Sequence, residues 1–106
     1  MKRISMGQLS ELIESLPQDE VLLDVRSREE FREGHIPGAL NIPHDEIARH
    51  LDELRPKKTI YIHCRSGGRA QVAAQALESA GIHQLTCVTD GGMPQWMQAG
   101  LPVERG

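Results

Sequence analysis

The chain has 106 residues, of which 39% are hydrophobic and 25% charged, with a formal net charge of −3 at pH 7. These values predict one folded domain over residues 1–106 and exclude intrinsic disorder, while the low aromatic content and the lack of a basic run argue against a nucleic-acid partner. No apolar run approaches the roughly 20 residues of a membrane span and we expect no secretory signal, so the sequence predicts a cytoplasmic protein that makes no membrane contact.

Helical and strand patterns alternate along the chain. The predicted elements, in order, are a helix over 6–16 capped by Ser5, a strand over 21–25, a short helix over 28–33, a strand over 39–42, a helix over 47–54, a strand over 59–63, a helix over 70–80, a strand over 85–89 and a short helix opened by Pro94. The helices follow from apolar residues at i, i+3 and i+4 spacing, and the strand over 21–25 is apolar without alternation, which is typical of burial on both faces. This order predicts an α/β layer fold with a mainly parallel central sheet flanked by helices.

Cys64 stands where a predicted strand ends and a helix begins. In parallel α/β folds ligands bind beyond the carboxyl ends of the strands, so the position itself favours a functional role. The following residues 65–69 (RSGGR) predict a tight loop, because paired glycines permit positive φ and leave room for close backbone approach. We expect the N–H groups of this loop to turn inward and form an anion-binding concavity at the helix N-terminus.

The loop is expected to hold Cys64 as a thiolate. Each hydrogen bond to a charged group contributes roughly 1.5–3 kcal/mol, whereas a helix dipole contributes about 0.3–1 kcal/mol, so the loop N–H groups should dominate. Two such bonds lower a thiol pKa by a unit or more, since one unit corresponds to about 1.4 kcal/mol. Arg65 and Arg69 add positive charge. A buried structural cysteine is the alternative, but the flanking glycines and arginines favour a nucleophile that needs no general base.

The second cysteine, Cys87, lies within a predicted strand and is interpreted as a small apolar filler. A redox role for it would require its sulfur to lie next to that of Cys64, which the sequence leaves open. Neither cysteine has a second Cys or His at metal-ligand spacing. We therefore expect no metal, no cofactor and no disulfide framework.

Three segments together resemble the rhodanese-like domain family. The first, over 22–43, contains LLDVR, EF, GHIPGA and NIP. The second is HCRSGGR at 63–69, which is similar to the active-site loop of the family. The third combines DGG at 90–92 with Trp96 and GLPV at 100–103. They occur in order over nearly the whole chain, and the resemblance implies a single-domain sulfurtransferase with a five-stranded sheet between layers of helices.

The resemblance also implies a mechanism. Cys64 would be the catalytic residue that takes sulfane sulfur from a small anionic donor such as thiosulfate, becomes a persulfide, and passes the sulfur to cyanide or a thiol in ping-pong fashion. Loop amides would hold the persulfide, and Arg65 and Arg69 would attract the donor and stabilise leaving sulfite. The predicted substrate-binding residues are Arg65, Ser66, Gly67, Gly68, Arg69 and, as a further candidate, Arg26. The acceptor can be a small thiol or a thioredoxin-like protein, and a monomer is expected because no apolar helix face is left over.

Two other functions use the same architecture. Cysteine phosphatases, and by extension arsenate reductases, need five residues between the cysteine and an arginine, so that the loop wraps a phosphoryl group. That spacing falls on Ala70, and Arg69 comes one residue too early. The other alternative is a non-catalytic binding module of rhodanese-like fold, which the presence of Cys64 disfavours.

The remaining polar and aromatic candidates are assigned structural roles. Asp24, the one charge in a buried strand, is expected to bond nearby backbone N–H groups and Arg26. His35 is expected to be a buried, hydrogen-bonded imidazole, and His63 a packing residue on the strand face opposite Cys64. Trp96 is expected in the core.

Overall fold

The computed structural model describes residues 2–63, 68–90 and 92–106, with the side chains of 89 and 90 left undescribed. The elements are β1 (Lys2–Ser5), α1 (Met6–Ile13), β2 (Glu20–Asp24), α2 (Arg28–Glu33), β3 (Leu40–Asn41), a 3₁₀ helix (His44–Arg49), α3 (Leu51–Leu54), β4 (Thr59–His63), α4 (Gly68–Ser79), β5 (Leu85–Asp90) and α5 (Met93–Gln98). Over this described part, the strands form one parallel sheet in the order β1-β5-β4-β2-β3. The predicted α/β fold with a parallel central sheet is confirmed.

The sheet is buried on both faces. Successive residues of a strand point to opposite faces, so Leu23 and Ile62 join one core while Leu22 and Tyr61 join the other. The first core packs against the 3₁₀ helix, α3 and α4, and the second against α1 and α5. This double burial explains why the central strands read as apolar runs without alternation.

Strand β1 was missed by the sequence analysis. It is a four-residue edge strand that pairs with β5 in parallel, and its first two residues, Lys2 and Arg3, are exposed. Only Ile4 packs against the core. So short and charged a segment carries no apolar pattern, and its strand conformation comes from hydrogen bonding to β5.

Helix boundaries also differ from prediction. The helix expected over 47–54 is a 3₁₀ helix followed by the single turn of α3, because His50 between them has φ −122° and ψ 16°, outside helical geometry. The two pieces bury Ile47 and Leu54 in the same core. Helix α4 ends as predicted, with Gly81 in the left-handed region at φ 85°. None of the helices in the described residues is long and apolar enough to cross a membrane.

Parallel pairing brings the carboxyl ends of the strands to one edge of the sheet. Asp24 ends β2, His63 ends β4, and the two residues are register partners. Asn41 ends β3 and pairs with Asp24 on the other side. In chain order, β2 is followed by α2 and β4 by α4. Asp24, Asn41 and His63 therefore come from three neighbouring strands and meet at this edge.

Candidate active site

The predicted nucleophile, Cys64, lies outside the described residues. The loop residues Arg65, Ser66 and Gly67 also lie outside them. Their predicted roles, and the anion-binding concavity, therefore stay predictions. The described residues fix both ends of this segment, since His63 ends β4 and Gly68 begins α4. Three of the predicted substrate-binding residues, Gly68, Arg69 and Arg26, are described.

A buried ion pair occupies the end of β2. Asp24 is fully buried and Arg26 is 6% exposed. Nε of Arg26 donates to Oδ1 of Asp24 at 3.0 Å, Nη2 donates to Oδ2 at 2.7 Å, and the Arg26 backbone N–H donates to Oδ1 at 3.1 Å. A forked, charge-assisted arrangement of this kind is among the strongest side-chain pairings. The structural role predicted for Asp24 is confirmed.

The same pair connects the surrounding elements. Nη2 of Arg26 also donates to the carbonyl oxygen of Gly34 at 2.8 Å, at the end of α2. Asn41 on β3 donates through Nδ2 to the carbonyl oxygens of Asp24 and Arg26, at 2.9 and 3.1 Å. Nε2 of His63 lies 3.7 Å from Oδ2 of Asp24, and both side chains are fully buried. The residue that precedes Cys64 is thus held in the core, as predicted for His63.

A second ion pair joins helix α2 to the first turn of α4. Arg69, in the first turn of α4, donates from Nη1 and Nη2 to the two carboxylate oxygens of Glu30 at 2.6 and 3.0 Å. Glu30 also completes a capping box with Ser27 at the start of α2. The hydrogen bond from Arg69, helped by those from Ser27 and opposed by burial, lowers the pKa of Glu30 to about 2. Helix α2 is therefore joined to the start of α4.

A cavity of about 440 Å³ opens between these two pairs. It is lined by Arg26, Glu30, Glu33, Gly34, Met93, Pro94 and Met97. Arg26 bonds to Asp24, the register partner of His63, while Glu30 bonds to Arg69. Two lining residues are thus tied to opposite ends of the segment that carries Cys64, which identifies this cavity as the candidate substrate pocket.

The sequence model of the rhodanese-like domain family matches residues 5–99 of the chain. The chain belongs to the rhodanese-like domain family. A sulfurtransferase of Allochromatium vinosum is 33% identical over 86 residues, covering 81% of this chain and 79% of that protein. Two other curated relatives are longer, and the chain spans only about 40% of their length.

Solved rhodanese-like structures have the same fold. A rhodanese-related protein from Thermoplasma volcanium matches with a TM-score of 0.83 and 28% identity over all of both chains. Thiosulfate sulfurtransferase from Pseudomonas aeruginosa matches with a TM-score of 0.82 and 25% identity, covering all of this chain and 20% of that one. The fold predicted from the sequence resemblance is confirmed across the sheet and its helices.

The other residues weighed in the sequence have structural roles in this rhodanese-like chain. His35 is 6% exposed, its Nδ1–H donates to the Phe31 carbonyl oxygen at 2.7 Å, and its ring stacks on that of Phe31. Trp96 is buried and donates from Nε1 to the Pro102 carbonyl oxygen at 2.7 Å. Cys87 is fully buried among the apolar residues on the α4 side of the sheet. These three assignments are confirmed.

Sequence reasoning missed the role of Glu30. Its capping box with Ser27 is readable as the spacing S-x-x-E before a helix, but its pairing with Arg69 joins residues 39 apart. The lining role of Glu33 and Met97 was also not predicted, because both are ordinary exposed residues of short helices. In the described residues, no group of three or more His, Cys, Asp or Glu side chains could hold a metal ion.

Asp24→Asn should lower the free energy of unfolding by about 3–5 kcal/mol, because it leaves the buried guanidinium of Arg26 without its carboxylate. Urea denaturation measures the loss. Glu46→Gln is the matched control, since it breaks an exposed forked pair with Arg28 and should cost much less. Equal losses in the two variants would contradict the role assigned to the buried pair.

Glu30→Gln should reduce stability in a pH-dependent way. Because the pKa of Glu30 is about 2 in the folded chain and 4.5 as its ordinary value, the carboxylate stabilises the fold above about pH 5. That contribution is lost as the pH falls from about 4.5 to about 2. Urea midpoints of both proteins should therefore differ at pH 7 and converge as the pH falls to about 2. A difference that does not change with pH would argue against the ion pair.

Proposed function

We propose that the chain is a sulfurtransferase that carries sulfane sulfur as a persulfide on Cys64. Membership of the rhodanese-like family supports a sulfurtransferase-type role. The observation that carries the proposal is the position of Cys64 in the chain, directly after the last residue of β4 and four residues before α4 begins at Gly68. A nucleophile at the carboxyl edge of a parallel sheet, before a helix N-terminus, is suited to anionic chemistry.

The reaction divides into two balanced steps. In the first, the Cys64 thiolate attacks the outer sulfur of thiosulfate, so that a new S–S bond forms to Sγ and sulfite leaves with the electron pair of the broken bond. In the second, an acceptor thiolate attacks the outer sulfur of the protonated persulfide. The bond to Sγ breaks, the acceptor leaves as a persulfide, and Cys64 returns to the thiolate. Neither step needs an external oxidant or reductant, which agrees with a reaction without a cofactor.

Helix α4 supports the thiolate proposal. It is a twelve-residue helix whose first turn lies just beyond the Cys64 segment. The N-terminal end of a helix carries partial positive charge and N–H groups without intrahelical partners, which favour an anion by about 0.3–1 kcal/mol in addition to direct hydrogen bonds. The depressed thiol pKa of Cys64 stays a prediction that these features favour.

The donor is proposed to be thiosulfate or a similar small anion. One fifth of the solved thiosulfate sulfurtransferase from Pseudomonas aeruginosa has the fold of this chain, which supports this choice. The pairing of Arg69 with Glu30 qualifies the part that Arg69 plays, because its charge is already offset by a carboxylate. We therefore assign Arg69 chiefly to holding the start of α4, and Arg65 to attracting the donor. Transfer to a thioredoxin-like protein, a monomeric state and a cytoplasmic location stay predictions.

A phosphatase function is less well supported. A loop long enough for a phosphoryl group would need an arginine at position 70. Ala70 is fully buried in the core on the α4 side of the sheet, so a side chain at this position faces the protein interior. The position at which a phosphate-binding arginine would be required is thus occupied by a small core residue, which favours sulfur transfer.

Cys64→Ser should abolish the formation of thiocyanate from thiosulfate and cyanide, because no thiolate remains to accept sulfur. Cys87→Ala is the matched control, since it removes the other thiol from the core, and it should retain the activity. Colorimetric assay of thiocyanate measures both. Wild-type activity in the Cys64→Ser variant would refute the proposal, and Cys64-dependent hydrolysis of an aryl phosphate without thiocyanate formation would support the phosphatase.

A further inference from the structure

The charges that line the candidate pocket are unevenly balanced. Arg26 is paired with Asp24, and Glu30 is paired with Arg69, so these two lining residues present nearly neutral pairs to the cavity. Glu33 is exposed at the rim, and among the described residues it forms no ion pair. The described part of the lining therefore carries one net negative charge.

The rest of the described lining is mainly apolar. Met93 and Pro94 begin α5, and Met97 follows one turn later with 48% of its surface exposed. Val103 packs so closely on Gly34 that a Cβ there would lie 3.0 Å from its Cγ1, while Cε of Met97 would lie at an ordinary 4.0 Å. The polarisable thioethers of Met93 and Met97 suit the carbon body of a small molecule.

We propose that this cavity binds the sulfur acceptor, and that the acceptor is a small thiol whose body carries no negative charge. The inference rests on the sulfurtransferase function proposed above and names its acceptor class. A volume of about 440 Å³ lies within the roughly 300–1,000 Å³ of small-molecule pockets. A carboxylate on the acceptor would be repelled by Glu33, and the one described lining cation, Arg26, is already paired with Asp24. The described lining does not repel a neutral or cationic body in this way.

Acceptor binding here serves the second transfer step. The thiolate of the acceptor attacks the outer sulfur of the Cys64 persulfide, the acceptor S–S bond forms, and the bond to Sγ breaks to regenerate the Cys64 thiolate. Glu33 has no assigned role at the reacting atoms. It acts as a specificity-determining residue through the charge that it places at the rim.

The size of the effect follows from Coulomb's law. An exposed carboxylate about 6 Å from a ligand charge, in water-like surroundings, changes the rate by about threefold for each unit of ligand charge. Salt should weaken the effect, because exposed charges are screened.

A single-turnover experiment with acceptors of matched size tests the proposal. Protein loaded with sulfur by thiosulfate and then desalted is discharged by cysteamine, 2-mercaptoethanol or 3-mercaptopropionate, whose bodies carry charges of about +1, 0 and −1 at neutral pH. Intact mass follows the loss of the persulfide. The ratio of rates between Glu33→Gln and wild type, taken for each acceptor, cancels the intrinsic reactivity of the thiols.

Relative to 2-mercaptoethanol, Glu33→Gln should raise the rate with 3-mercaptopropionate about threefold and lower the rate with cysteamine about threefold. Glu29→Gln is the matched control, because Glu29 is an exposed acid of the same helix outside the described lining, and its ratios should be equal for all three acceptors. Equal ratios in Glu33→Gln, or the same trend in Glu29→Gln, would overturn the proposal.

Alkylation of Cys64 keeps the two proposals separable. If thiosulfate loads no sulfur, the proposed function fails, and the rates of modification by neutral iodoacetamide and anionic iodoacetate still measure the charge preference of the pocket. Glu33→Gln should then raise the iodoacetate rate about threefold relative to the iodoacetamide rate. An unchanged ratio would overturn the assignment of Glu33.

Discussion

The buried pair of Asp24 and Arg26 is the constraint on which the site depends. Removing two charges from water is costly, and the cost is offset only where the geometry is good and the remaining polar atoms are bonded. Here the forked contact is joined by bonds from Arg26 to the Gly34 carbonyl oxygen and from Asn41 to the backbone on either side. One ion pair therefore fixes the end of β2, the end of α2, the edge strand β3 and one side of the pocket.

The second pair repeats this arrangement on the other side of the segment that carries Cys64. Glu30 is held by the capping box of α2 and in turn holds Arg69 in the first turn of α4. Together the two pairs join the end of β2 and the start of α4 to helix α2. They also neutralise each other's charge along the described lining of the cavity, where the exposed acid Glu33 is left as the net charge.

The sequence predicted the parts of the fold whose signals are local. Apolar runs identify β2 and β4 because both faces are buried, and Gly81 ends α4 where a positive φ is required. Strand β1 and the pairing of Glu30 with Arg69 were not predictable in this way. The first depends on hydrogen bonds to β5, and the second joins helices far apart in the chain. Cys64 is predicted as the nucleophile from its sequence neighbours alone, since glycines and arginines after a strand predict an anion-binding turn, and this role stays a prediction.

Intact-protein mass spectrometry after incubation with thiosulfate shows whether a persulfide forms on Cys64. We expect the wild-type chain to gain one sulfur atom, about 32 Da, cyanide to remove the added mass, and Cys64→Ser to gain nothing. A wild-type chain that gains no sulfur, or a gain that persists in Cys64→Ser, would contradict a persulfide on Cys64.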